Sequence, residues 1–278
     1  MGTEISHYRT IVLGATFTGL GAALEDIDGT LVIERTALVG HEFINSFNPG
    51  GDWNDDTALS ASGASLREEL RERGILSDDG LVHLPALAPV LYNRIYESGL
   101  RVLLLTEVLL VEEKNDYVEV TIHHASGRSV VRADRLIDTR TEAVMDAAAD
   151  KTARRINAML LYVGETPLDA VVPDAFVVPD AETEIVKGKL DGELILKLTI
   201  GNEDDWVQAR SKLNGVWTNR TGEWLDWRIC AVATCFEVEM TVSGSSKEGR
   251  IQRLTSAAYR NPLEAYEAGI EATGRMVG

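Results

Sequence analysis

Residues 11–23 read IVLGATFTGLGAA, and the reading of this stretch decides the fold. Three apolar residues run into Gly14, and Gly19 and Gly21 follow within seven positions. The apolar run suits a buried parallel strand, and the small residues after it suit a helix lying close to a sheet. The spacing is nearly the dinucleotide fingerprint G-x-G-x-x-G, with Thr16 where the second glycine belongs. In such a turn the first glycine permits the bend. The second lets backbone approach a diphosphate, and the third lets helix and strand pack. The helix N-terminus then offers amides and the positive end of its dipole to phosphate. The β-carbon of Thr16 crowds that place, while its hydroxyl offers a donor to a phosphate oxygen. The expected cradle is Gly14, Ala15, Thr16, Phe17, Thr18 and Gly19.

A helix over Thr18–Glu25 and a buried strand over Thr30–Ile33, closed by Glu34, complete a βαβ unit. Glu34 lies 20 positions after Gly14 (34 − 14), where an acid accepts hydrogen bonds from a ribose diol. The same glycines also serve a βαβ unit that binds nothing and uses them for packing alone. Residues 40–63 are rich in Gly, Asn, Asp and Ser and read as a long functional loop. Within it His41, Asn45, Asn48 and Trp53 are the groups expected near a substrate. Helices are predicted over Leu66–Arg73 and Pro85–Glu97, and a strand over Arg101–Leu105. A three-stranded meander follows (Glu107–Lys114, Tyr117–His123, Ser129–Ala133), then a separate short strand, Leu136–Thr139.

From about residue 152 the texture changes to antiparallel strands: Ile156–Val163, Glu184–Val186, Glu193–Ile200, Arg228–Val232 and Phe236–Val242. A helix-like segment, Asp204–Leu213, lies among them, and Pro262–Thr273 reads as a closing helix. Asn261-Pro262-Leu263-Glu264 is a good helix start, with an N-cap, a first-turn proline and an acid three positions on.

The net charge of −17 repels phosphate backbones and anionic lipid, so nucleic acid and membrane are poor partners. Two cysteines, Cys230 and Cys235, make no disulfide framework, and a cytoplasmic location is expected. No Cys/His spacing suggests a metal site, and no nucleophile-elbow motif is present.

The stretches IVLGATFTGLGAALE, LVIERTALVGHEF and LLLTEVLLVEEKNDYVEVTI, with RADRLIDTRTE, resemble the FAD-dependent oxidoreductases of the glutathione-reductase and geranylgeranyl-reductase type over residues 8–142. The resemblance implies an α/β fold: a Rossmann-type FAD-binding domain with a three-stranded β-meander (1–150 and 244–278) and a smaller antiparallel-sheet domain (151–243). It implies that Glu34 and its neighbour Arg35 meet the adenosine ribose, that the backbone of Val108 contacts adenine, and that Gly40 and His41 line the cofactor. The family's I-D-A-T-G motif appears as Ile137-Asp138-Thr139-Arg140-Thr141, without its glycine. Thr139 and Arg140 join the expected site, Arg140 either pairing a phosphate or remaining a surface arginine beside Asp138 and Glu142. SAAYRNPLEAYEAGIEATG resembles the closing segment whose helix end, here Asn261, Pro262 and Leu263, faces the flavin.

The implied activity is hydride or electron transfer between a small molecule and FAD, with His41, Tyr259 and Arg260 as catalytic candidates. A second glycine-rich βαβ unit for NAD(P)H is missing, so electrons come from the substrate, from transiently bound NAD(P)H or from a redox partner. Two other classes remain: a degenerate subunit that holds FAD or an adenine nucleotide and acts through a partner or in an oligomer, and an NAD-dependent dehydrogenase.

Overall fold

A computed structural model describes residues 6–54, 59–141, 152–165, 181–240 and 245–274. Strand β1 (His7–Leu13) enters the turn at Gly14, α1 (Phe17–Leu24) leaves it, and β2 (Thr30–Ile33) returns parallel to β1. Every residue of β2 is buried, as a central parallel strand requires. Residues 41–98 contain a one-turn helix α2 (His41–Ile44), then α3 (Ala61–Glu72) and α4 (Leu87–Ser98). Helix α3 starts five residues before the predicted Leu66, because the Ser60 hydroxyl accepts from Gly63 N and caps it there. Strand β3 (Arg101–Leu103) then pairs parallel with β2.

The meander is β4 (Glu107–Glu113), β5 (Val118–His124) and β6 (Gly127–Asp138). Its third strand and the predicted separate strand at Leu136–Thr139 are one strand of twelve residues. Residues 127–133 of β6 pair antiparallel with β5, and 132–138 pair parallel with β1. Exposed Asp134 and half-buried Arg135 interrupt the strand just before its buried end, Leu136–Asp138, and hide the continuity from a reading of periodicity alone.

A five-stranded antiparallel sheet follows, with β7 (Thr152–Tyr162) at its centre. Strand β8 (Thr183–Lys187) pairs with β9 (Glu193–Ile200), and β9 with one edge of β7. Strands β10 (Trp227–Val232) and β11 (Glu237–Met240) share the other edge of β7, along its second and first halves respectively. Helix α5 (Trp206–Thr218) begins at a capping box, in which Asp205 and Gln208 bond each other's backbone amides. It covers the face formed by Ile156, Ala158, Leu160, Leu196 and Leu198.

The chain then returns to the first sheet. Strand β12 (Ser245–Glu248) pairs with β13 (Ile251–Leu254), and β13 pairs parallel with β6. This hairpin was not predicted. The end of the strand predicted over Phe236–Val242 and the expected boundaries near 150 and 243 lie outside the described residues, as does Glu142.

The closing helix α6 (Pro262–Gly274) packs on α1. A β-carbon at Gly21 would stand 2.0 Å from the Tyr266 carbonyl oxygen, and one at Gly269 would stand 2.0 Å from that of Thr18. The two helices therefore meet backbone to backbone, through one glycine from each. Among the described residues no helix is long and apolar enough to cross a membrane.

Candidate active site

Gly14 adopts φ +98°, and a β-carbon there would lie 2.8 Å from the Thr139 hydroxyl. Glycine is thus required for the bend and for the approach of the strand-end residue. Thr16 is the N-cap of α1. Its hydroxyl accepts from Gly19 N at 2.9 Å and donates to Thr139 Oγ1 at 2.7 Å. Thr139 in turn donates to the Leu13 carbonyl at 2.9 Å. The hydroxyl expected to meet a phosphate therefore fastens α1 to the ends of β1 and β6, and Thr16 is 1% exposed.

Three further amides of this turn donate to the chain's own side chains. Ala15 N donates to Glu34 Oε2 at 3.0 Å, Phe17 N to Glu42 Oε1 at 2.7 Å, and Thr18 N to Ser256 Oγ at 3.4 Å. Leu20 N reaches the Thr16 carbonyl at 2.8 Å. Glu34 Oε1 accepts from both the amide and the hydroxyl of Thr36, at 2.7 and 2.8 Å, and Glu34 is 3% exposed. A carboxylate, that of Glu42, already stands at the helix end where a diphosphate would bind. Burial pushes the Glu42 carboxyl up, and His41, the Phe17 amide and the Ser256 hydroxyl pull it back. The turn therefore fits a diphosphate only with Glu42 withdrawn from Phe17 N.

The open space lies beside the turn. An open cavity of about 1050 Å³ lies between the α2 loop, the second sheet and the 3₁₀ turn Ser256–Ala258. His41, Glu42, Phe43, Asn48 and Gly50–Asp52 form one wall. Arg154, Arg155, Glu184, Lys197 and residues 234–240 form the opposite wall, and residues 256–260 close the space. Lys197 Nζ donates to Asn48 Oδ1 and to Glu237 Oε1, both at 3.0 Å, and Arg155 donates to the same Glu237 oxygen at 3.0 Å. Asn157 Nδ2 donates to the Ser46 carbonyl at 2.8 Å and also to Glu237. These bonds tie the α2 loop to the second sheet. Nothing in the sequence pairs Lys197, Asn157 and Glu237, because three different strands supply them. Only Lys197 carries a local signal, a charge in a strand, Glu193–Ile200, that otherwise reads largely apolar.

Of the predicted residues, His41, Tyr259 and Arg260 line the cavity together, although 218 positions separate His41 from Tyr259 (259 − 41). The His41 Nδ1 atom is buried without a hydrogen-bond partner. Arg260 pairs with Asp52 at 2.9 Å and with Glu264. Asn48 lines the cavity, whereas Asn45 does not. Trp53 is a core residue, with its indole N–H on the Pro49 carbonyl at 2.7 Å.

Gly14, Ala15, Phe17, Thr18, Gly19, Glu34, Arg35 and Val108 lie outside this cavity. Gly40 adopts φ +59° and donates its amide to the Ala15 carbonyl at 2.8 Å, so it faces the turn. Arg140 forms a two-point ion pair with Asp138, at 2.8 and 2.7 Å, the surface arrangement beside Asp138. Asn261 Oδ1 caps Glu264 N at 2.9 Å, and Asn261 and Leu263 line a second cavity of about 610 Å³. Pro262 is buried. Asn261, Pro262 and Leu263 thus do not line the larger cavity, which residues 256–260 border instead.

No protein-family model matches the sequence, and no curated protein is similar to it. Solved structures share its fold. A geranylgeranyl bacteriochlorophyll reductase-like protein from Thermoplasma acidophilum superposes with a TM-score of 0.66, at 12% identity over 98% of this chain and 78% of its own. p-Nitrophenol 4-monooxygenase from Pseudomonas putida gives 0.59, at 11% identity over 98% of this chain and 78% of its own. Aklavinone-11 hydroxylase, solved with FAD and aklavinone, gives 0.58, at 12% identity over 99% of this chain and 63% of its own. The chain thus spans under two thirds of the hydroxylase. At these identities the likeness is one of fold: a Rossmann-type sheet with a meander and a second antiparallel sheet, as the sequence implied. The geranylgeranyl-reductase side of the expected family is represented among these structures. The aromatic hydroxylases beside it were not anticipated.

Proposed function

We propose that the chain is an FAD-dependent oxidoreductase acting on a small molecule held in the central cavity. The observation that carries this reading is the position of the cavity. It lies against Glu42 and Ser256, the two side chains that bond the first amides of α1 beyond the Gly14 turn. In the hydroxylase of the same fold, FAD and aklavinone are bound together. In this reading Ala15, Phe17 and Thr18 would meet the diphosphate once Glu42 withdraws, Glu34 would meet the ribose, and Arg35 and Val108 would lie toward the adenine. When bound, FAD supplies the ring that accepts and returns a hydride or electrons. The chain's own residues supply the remainder. Lys197 and Arg155 offer donors to an anionic or carbonyl group on the substrate. His41, with its unpartnered Nδ1, holds or moves a proton at the cavity wall. A flavin absorption band in the purified protein, bleached by dithionite, supports this reading. A colourless protein that takes up no added FAD overturns it.

One observation favours a second reading. Glu42 and Glu34 close the turn from within, as expected of a chain that keeps the fold for structure or assembly and binds its ligand in the central cavity alone. Bleaching of the flavin by a candidate substrate, without dithionite, separates the enzyme from a passive binder.

A further inference from the structure

The end of α1 is liganded by a residue 25 positions away in sequence. We propose that Glu42 is an internal ligand of this helix end, occupies the place a diphosphate takes, and so sets how tightly the chain holds a dinucleotide. The proposal rests on the flavin reading above. Glu42 Oε1 lies 2.7 Å from Phe17 N, while Oε2 is buried without a hydrogen-bond partner. The Phe17 amide is thus the close hydrogen-bond partner that holds this carboxyl at the helix end. The backbone brings the side chain there. Gly40, in the left-handed region, starts α2 hard against α1, where a β-carbon would meet the Phe17 ring at 2.6 Å.

One amide does not serve two acceptors. The Phe17 N–H and the positive dipole end serve either the Glu42 carboxyl or a phosphate, so a diphosphate binds there only when the Glu42 side chain withdraws. Glu42 also borders the central cavity, so its carboxylate has space to turn into when displaced. The free energy of that displacement is subtracted from dinucleotide binding. The chain then holds a dinucleotide more loosely than the same turn without Glu42.

The test is calorimetric titration of the full chain with FAD, and separately with ADP, for the wild type, Glu42→Ala and Glu42→Gln, with circular dichroism to establish folding. Glu42→Ala is expected to bind FAD at least tenfold more tightly than wild type. Glu42→Gln, which loses the charge but keeps an acceptor for Phe17 N, is expected to gain less. If Glu42→Ala does not fold, Glu42→Gln decides: tighter binding supports the proposal and unchanged binding overturns it. Equal FAD affinity in all three proteins overturns the proposal and leaves the flavin reading standing. Binding by none of them overturns the flavin reading, and this proposal with it.

Discussion

Thr16 spends its one hydroxyl proton inside the fold. It caps α1 through Gly19 N and donates to Thr139, so it replaces the flexibility of a glycine with a fixed link between helix and sheet. Thr16→Ala removes the cap and should lower stability by about 1 kcal/mol, within the usual range for N-cap removal. Thr16→Ser keeps both bonds and should fall within a few tenths of wild type; urea denaturation of the two variants checks this. Glu42 gives a prediction with a pH sign. Burial raises its folded-state proton affinity, so its contribution to stability is present at low pH. That contribution is lost as pH rises from the ordinary glutamate value through the raised one. Glu42→Gln cannot ionise. Its stability relative to wild type should therefore grow across that window and level off above it, as read from denaturation midpoints between pH 4 and 8. A difference that shrinks with rising pH would contradict the assignment.

Among the elements, the α1–α6 contact depends on the absence of two side chains. A β-carbon at Gly21 meets the Tyr266 carbonyl oxygen at 2.0 Å, an atom that only a shift of α6 can move away. Gly21→Ala should therefore destabilise by about 2 kcal/mol or more, at the upper part of the usual overpacking cost, despite alanine's better helix propensity. Thermal melting reads the loss. A melting point at or above that of wild type would show that the helices do not approach as described. Strand β6 illustrates the limit of local pattern. Its twelve residues serve an antiparallel partner and then a parallel one, and only the last three, Leu136–Asp138, are buried in succession. Two short strands are what such a sequence looks like when its partners are unknown.

For the whole molecule, the second sheet is held to the α2 loop by Lys197, Glu237 and Asn157, which bond Asn48 and the Ser46 carbonyl. Lys197 is 7% exposed and Glu237 is 3% exposed. Removing one member leaves its partner buried and charged, so Glu237→Ala should cost about 3 kcal/mol, the low end for breaking a buried pair. The double variant Lys197→Met/Glu237→Leu should recover most of that loss, as a double-mutant cycle would show. Additive losses would mean that the two do not act as a pair.

The sequence by itself determined the β1–turn–α1–β2 unit, the acid at its end, the meander and the change to antiparallel strands, because each rests on spacing within a few residues: a 2- or 3.6-residue period, a capping residue, a glycine at a bend. It also placed His41, Tyr259 and Arg260 among the candidates, and the fold brings them to one cavity. The tertiary structure alone decided what stands at the N-terminus of α1. Phe17 N meets Glu42, and Thr18 meets Ser256, 238 positions away. Contacts at that separation follow from how strands are ordered in a sheet and how helices pack across it. No local period records them, and for that reason a turn that reads in sequence as open to phosphate is closed in the folded chain by its own carboxylate.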